Sequence, residues 1–198
     1  IDIQRVVTAR QFCNKIWHAS RYVISNVDLH SDYSNGDDVP LVASSLQPTN
    51  LENQWILNRL HETIEKCEEG FSSYNFALTT DALRSFFIND FCDVYLELTK
   101  KYLNPDAQTE DLGVDPALKL ETQLVLKYVL DASLRLLHPI LPFITEDLFE
   151  ALNGSGDGDR QKQRSIMMSP FPSTTELAVF QSTQVKTEME TVLQCVHG

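Results

Sequence analysis

Residues 115–142 read DPALKLETQLVLKYVLDASLRLLHPILP. Asp115 suits a helix N-cap, because its short carboxylate can accept from the free backbone donors of a first turn. Pro116 suits the first helical position, where a missing N–H leaves nothing unpaired. From there to Leu137 apolar residues occupy most sides, which predicts a long helix at the centre of a core. His138-Pro139-Ile140-Leu141-Pro142 predicts a sharp corner, since proline and the residue before it resist helical continuation. A short helix is expected from about Ile144 to Leu152.

Working outward from this hairpin, the rest of the chain also reads as helices. Over residues 2–25, Val6, Cys13, Ile16, Ser20 and Ile24 recur at helical steps. Residues 26–49 form a polar, acidic loop with Asn35-Gly36, Pro40 and Pro48. Thr49 and Glu52 match a T-x-x-E capping box. A second helix should follow, with Trp55, Ile56, Leu60 and Ile64 on its apolar stripe and Gly70 as its stop. A third helix is predicted from about Asn75 to Tyr102, with Phe76, Leu83, Phe86, Phe87, Phe91, Val94, Tyr95 and Leu98 apolar. Asn104-Pro105 should end it, and 106–114 should be a loop.

Beyond the central hairpin, residues 153–164 read as a flexible polar segment. Ser165–Met168 is expected to be a short strand closed by Pro170 and Pro172. Thr175 to about His197 should form a last helix. The expected fold is all-α, a helical bundle of four to five helices over 1–152. A linker with a short extended segment spans 153–172, and a C-terminal helix spans 173–198. Ile1 in place of a start methionine, and the unfinished helix before Gly198, suggest a fragment leading toward a further C-terminal region.

The 42% hydrophobic content supports one sizeable core. No run approaches the roughly 20 apolar residues of a membrane span, so no membrane partner is expected. Cys13, Cys67, Cys92 and Cys195 are widely spaced with no CxxC. They read as buried free thiols of a reducing, cytoplasmic protein, and no zinc site is expected. The net charge of -12 argues against nonspecific nucleic-acid binding. That charge is uneven. Residues 1–24 carry Arg5, Arg10, Lys15 and Arg21 against Asp2 alone, whereas 27–53 carry Asp28, Asp32, Asp37, Asp38 and Glu52 with no cation.

Catalytic motifs fail on spacing. His61-Glu62 begins like H-E-x-x-H, but Glu65 stands where the second ligand belongs. Asp90, Asp93 and Glu97 fall on one face of an α-helical projection. No His or nucleophile accompanies them, so a solvated or cation-paired stripe is the expected role. Gly154, Gly156 and Gly158 follow a helix rather than a strand, which makes them a linker and not a phosphate loop. No catalytic residue, cofactor site or metal site is assigned.

The first helix is more informative. At 100° per residue, Arg10, Asn14, Trp17 and Arg21 fall in a narrow arc beside the apolar stripe, with Lys15 and His18 further round. Guanidinium, amide and indole groups suit splayed RNA bases and phosphates. The spacing equally allows Trp17 at the core margin and arginines paired with neighbouring carboxylates.

The wording adds what spacing leaves open. Arg10-Gln11-Phe12-Cys13-Asn14-Lys15-Ile16-Trp17-His18-Ala19-Ser20-Arg21-Tyr22 resembles the segment opening the anticodon-binding domain of class I valyl- and isoleucyl-tRNA synthetases. Trp55-Ile56-Leu57-Asn58-Arg59-Leu60, Tyr74-Asn75-Phe76 and Leu136–Phe149 resemble further words of that family, in the same order. Phe91-Cys92-Asp93-Val94-Tyr95-Leu96-Glu97 is closest to the valyl branch. The HIGH and KMSKS signatures that bind ATP in this class are absent from these residues.

The resemblance implies tRNA binding by Arg10, Asn14, Lys15, Trp17 and Arg21, with Arg59 a weaker candidate. Asp93, Tyr95, His138, Pro139 and Pro142 would serve the architecture. The implied partners are the tRNA(Val) anticodon stem-loop and a catalytic domain of the same chain. That catalytic domain would use ATP with Mg2+ to attach valine, and an editing site would remove threonine, which an apolar pocket rejects poorly. The fragment alone should be inactive. Alternatives are the same domain of an isoleucyl or leucyl enzyme, and a helical protein-interaction module using the acidic loop.

Overall fold

A computed structural model describes residues 2–27, 43–103, 115–153 and 165–197. Among them the only regular structure is helical. Helix α1 is Ile3–Asn26, α2 is Leu51–Ser72, α3 is Phe76–Ser85, α4 is Leu96–Leu103, α5 is Pro116–Leu137, α6 is Pro142–Asn153, α7 is Thr174–Leu177 and α8 is Thr183–His197. A π-helix, Phe86–Tyr95, joins α3 to α4 without a break. Short 3₁₀ turns occupy Ala43–Ser45, Ile166–Met168 and Ala178–Phe180.

The central hairpin forms as its residues dictate. Asp115 accepts from the Ala117 N–H at 3.0 Å, and Pro116 opens α5. Val125, Leu126, Val129, Leu130, Leu134 and Leu136 are all fully buried. At the corner His138 Nδ1 shares a 2.8 Å hydrogen bond with Thr145 Oγ1, which ties the end of α5 to the first turns of α6. Arg135 is held by Asp131 at 2.8 Å and donates to the Pro170 carbonyl at 2.8 Å, strapping segment 165–173 onto the hairpin.

Polar contacts set the direction of each helix. Gln123 of α5 donates to the Asn26 carbonyl at 2.7 Å, so α1 ends where α5 begins. Asn53 of α2 donates to Glu121 at 2.7 Å, so α2 begins beside the start of α5. The buried Tyr95 hydroxyl donates to Asn53 Oδ1 at 2.6 Å, and Lys101 reaches Glu52 at 2.6 Å. The helix from Phe76 to Leu103 is therefore antiparallel to α2. One end of the bundle thus gathers the start of α1, the α2–α3 turn, the α5–α6 corner and the strap over 165–171.

Several local expectations need correction. Thr49 and Glu52 do not form a capping box. Asn50 caps α2 by accepting from Asn53 N–H at 2.9 Å, while Thr49 donates to Glu121 and Glu52 binds Lys101. Gly70 does not stop α2. It lies inside the helix, where a Cβ would stand 2.2 Å from Thr79 Oγ1, so its absence allows the close approach of α3. The stop is a Schellman turn, with Asn75 N–H donating to Gly70 O at 2.8 Å and Tyr74 N–H to Phe71 O at 3.2 Å. Tyr74 takes the left-handed position, with φ 56°, where glycine is usual. That conformation costs a side chain roughly 1–2 kcal/mol.

The predicted third helix is continuous but not uniformly α-helical. In the π stretch the buried residues are Phe86, Phe87, Phe91, Cys92 and Tyr95, and the Leu96 N–H reaches back five residues to Phe91 O. The wider turn separates carboxylates that an α-helical projection superimposes. Asp90 binds Arg59 at 2.9 Å, Asp93 binds Lys15 at 2.7 Å and Glu97 binds Lys100 at 2.7 Å. Ser165–Met168 is not a strand, since Ser165 caps a 3₁₀ turn through Met167 N–H. The last helix is broken at Ala178–Gln181. Its longer part, α8, packs on α2 through buried Met189, an Asn58 bond to Ser182 O at 2.7 Å and a Lys186–Glu62 pair at 3.0 Å. Residues 28–42 of the acidic loop, the Asn104-Pro105 stop, the 106–114 loop and residues 154–164 of the glycine-rich linker lie outside the described residues.

Candidate RNA-binding face

Helix α1 carries the candidate face because only its second half is gripped by the bundle. Its buried residues are Ile16, Ala19, Ser20 and Val23. Phe12 makes an edge contact with Phe87 at 6.2 Å between centroids. Residues placed about a quarter-turn from this stripe must face solvent. Arg10, Asn14 and Arg21 are exposed there, and Trp17 is 43% exposed beside them. Among the described residues, none of Arg10, Asn14 and Arg21 has a side-chain hydrogen bond or ion pair. Their donors are free for a ligand. Trp17 presents an open ring and does not sit in the core.

Lys15 behaves differently. Its ammonium is 2.7 Å from Asp93 Oδ1, with both side chains partly exposed. This pair bridges α1 to the π-helix at the rim of a groove of about 230 Å³. Lys15, His18, Ala19 and Tyr22 form one wall, while Cys92, Leu96, Glu97 and Lys100 form the other. The floor is apolar. Burial pushes the Cys92 thiol up to about 12 and raises the Tyr22 phenol, so both stay neutral at physiological pH. The rims are two ion pairs, Lys15–Asp93 and Lys100–Glu97, that cancel in charge. The unpaired cations of α1 suit phosphate, whereas the balanced groove offers both donors and acceptors to a neutral heterocycle.

Arg59 does not join this face. It is half-buried between Asp90 and Glu62 and serves the packing of α2 on the π-helix. Asp93, Tyr95 and His138 make the helix-to-helix bonds expected of them. Spacing gave no signal for the groove residues Tyr22, Leu96 and Lys100, and it grouped Glu97 with Asp90 and Asp93 rather than with α1. Leu96, Glu97 and Lys100 meet α1 only in three dimensions, and the π register is invisible in an α-helical projection.

An all-α bundle with an open basic row beside an apolar-floored groove has the makings of a nucleic-acid reader, and sequence comparison gives its class. Residues 53–197 match the family described as anticodon-binding domain of tRNA ligase, and the chain belongs to that family. Its relatives make the branch particular. It is 35% identical over 199 residues to the valine–tRNA ligase of Neisseria meningitidis serogroup A, a match covering 100% of this chain and 19% of that protein. It is 37% identical over 176 residues to the valine–tRNA ligase of Legionella pneumophila strain Lens, covering 88% and 17%. The Fervidobacterium nodosum valine–tRNA ligase is 36% identical over 176 residues, covering 89% and 17%. The chain thus spans less than a fifth of the length of these relatives. No described helix is long and apolar enough to cross a membrane.

Proposed function

We propose that this domain recognises the anticodon stem-loop of tRNA(Val) for a valine–tRNA ligase. The observation that carries the reading is the unpaired row of Arg10, Asn14, Trp17 and Arg21 on α1, set beside the groove. In this reading the two arginines hold loop phosphates. Trp17 stacks on an unpaired base, Asn14 bonds a base edge and Lys15 faces the RNA from the groove rim. The domain carries no chemistry itself. It contributes binding energy remote from the reacting atoms, which helps orient the acceptor end in the catalytic domain of the same chain. That domain would use ATP with Mg2+ to activate valine and would act in the cytoplasm.

The test is binding of the chain to a tRNA(Val) anticodon stem-loop, and to the same stem-loop with its middle anticodon base changed, at two salt concentrations. Tighter binding to the valine anticodon that weakens with salt supports the reading. Equal affinity for both stem-loops refutes anticodon recognition by this face.

A further inference from the structure

Helix α1 carries Arg5, Arg10, Lys15 and Arg21. Arg5 is bridged to Asp2 at the helix start, and Arg10 and Arg21 stand unpaired among the described residues. Lys15 alone of the four is bound to a carboxylate of another helix, Asp93, at 2.7 Å. That partner lies 78 residues away in sequence. The π register parts it from Asp90 and Glu97 and turns it toward α1. The pair does little for the fold. Both side chains are open to solvent, at 38% and 55% exposure, and surface pairs of this kind contribute little to stability. Burial of Ile16, Ala19, Ser20 and Val23 already grips α1. What the pair changes is the charge at the groove rim. Lys15 stands beside the apolar floor, where less water screens it, so a lone ammonium there would draw any phosphate. Asp93 cancels that charge, and the second rim pair, Glu97–Lys100, adds none.

We infer that Asp93 is a specificity-determining residue, an internal counter-ion that withholds Lys15 from RNA phosphates; the inference rests on the proposed function. Every RNA carries phosphates, so a free cation at the rim would add affinity without reading sequence. A strand bound without base contacts can shift until a phosphate meets that cation. A loop fixed by Trp17 and Asn14 cannot shift, and gains less. Asp93 therefore removes affinity mainly from wrong ligands, which widens the gap between right and wrong. Arg10 and Arg21, left unpaired, keep the phosphate contacts that a fixed loop makes.

The test uses two labelled probes, the tRNA(Val) anticodon stem-loop and an oligouridylate of the same length, bound at about 50 and about 200 mM salt. Asp93→Asn should steepen the oligouridylate slope of log affinity against log salt by about 0.7, the share of one single-strand phosphate. Its gain over wild type on that probe should be about 2.6-fold larger at the lower salt. The stem-loop should gain less, so preference for it should fall. Adding Lys15→Gln should return the oligouridylate slope and affinity to wild type, because the neutral pair has the net charge of the ion pair. Asp93→Glu keeps the carboxylate and should behave as wild type, and thermal melting confirms that each variant is folded. Unchanged slopes, or equal gains on both probes, overturn the inference. A loss on both probes with a lower Tm makes Asp93 a strut, and a loss on the stem-loop alone makes it a base acceptor; either result overturns it. So does a double variant that binds oligouridylate more weakly than wild type, since Lys15 then meets phosphate despite Asp93. Wild-type binding to the stem-loop with its middle anticodon base changed separates the two claims. Equal affinity there defeats the proposed function, while the oligouridylate slopes still decide whether Asp93 holds Lys15 back.

Discussion

Replacing Arg10 and Arg21 together with Ala tests the assignment of α1 most directly. Neither side chain is bonded to another described residue, and both are exposed. The fold should therefore hold, with stability changed by no more than about 0.5 kcal/mol and Tm by about 2 °C. If each guanidinium holds one phosphate of a single-stranded loop, each releases about 0.7 of a counterion. The pair then contributes about 1.4 to the slope of log affinity against log salt. Over a fourfold change in salt, from about 50 to 200 mM, this slope corresponds to a factor of about 7 in relative affinity. Wild-type binding should exceed that of the variant most at the lower salt, and the advantage should shrink sevenfold at the higher. Fluorescence anisotropy with a labelled stem-loop measures both slopes. Parallel slopes, with or without a loss of affinity, would falsify the claim that these arginines meet phosphate.

Three further outcomes follow from the packing. Tyr95→Phe removes the buried 2.6 Å bond to Asn53, and should cost about 1–2 kcal/mol, read as a fall in urea midpoint at unchanged m-value. Gly70→Ala places a methyl 2.2 Å from Thr79 Oγ1, which should cost about 1–3 kcal/mol; Thr79→Ala in the same background should recover part of the loss, and no recovery would show that the conflict lies with the Asn75 backbone. Acid stability separates the carboxylates. Burial raises the pKa of Glu52, but bonds from Lys101 and Tyr102 outweigh it and leave the pKa below its ordinary value. Its contribution is present above the ordinary glutamate pKa and is lost as pH falls through the folded value. Burial raises Asp131 above its ordinary value despite Arg135, and raises Asp90 despite Arg59. These two carboxylates bind protons more readily in the folded state, so their effect on stability improves as pH falls through the raised values toward the ordinary one. Glu52→Gln should be less stable than wild type at neutral pH, with the gap closing below the ordinary glutamate range; a gap constant from pH 7 to 3 would contradict the assignment.

The helices were legible where one physical cause dominates. Asp115-Pro116 opens α5, the apolar run buries it, and the proline pair turns the corner. Competition between neighbours was not legible. Thr49, Asn50 and Asn53 can all accept at a helix start, and the choice falls to Asn50 because Glu121, 72 residues away from Thr49, takes the threonine. Gly70 looks like a stop until α3 is packed against it. Seven residues beyond Thr79, Phe86 begins a π-helix whose five-residue steps no α-helical period contains. Of the candidate face, the row on α1 was visible because it lies on one helix. The groove was not, because its second wall depends on that π register.

The remaining question is how an acidic chain can present a site for an anion. At physiological ionic strength, exposed charges interact strongly only within about 8 Å. Arg21 lies 11 residues after Arg10 on α1, about 16 Å along the axis at 1.5 Å per residue, so the two ends of the row act almost independently of distant carboxylates. Most acidic groups near the face are already paired. Asp93 faces Lys15, Glu97 faces Lys100, and Asp90 faces Arg59. These pairs present little net field, which leaves Arg10 and Arg21 as the unpaired charges of the row. If the proposed face is the binding face, an RNA loop would therefore meet attraction on α1 and repulsion from unpaired carboxylates elsewhere. In the proposed reading, the same arrangement that weakens nonspecific binding would confine specific binding to one helix face. A more neutral body with the same row would bind RNA more tightly and discriminate less, because misplaced loops would no longer be repelled.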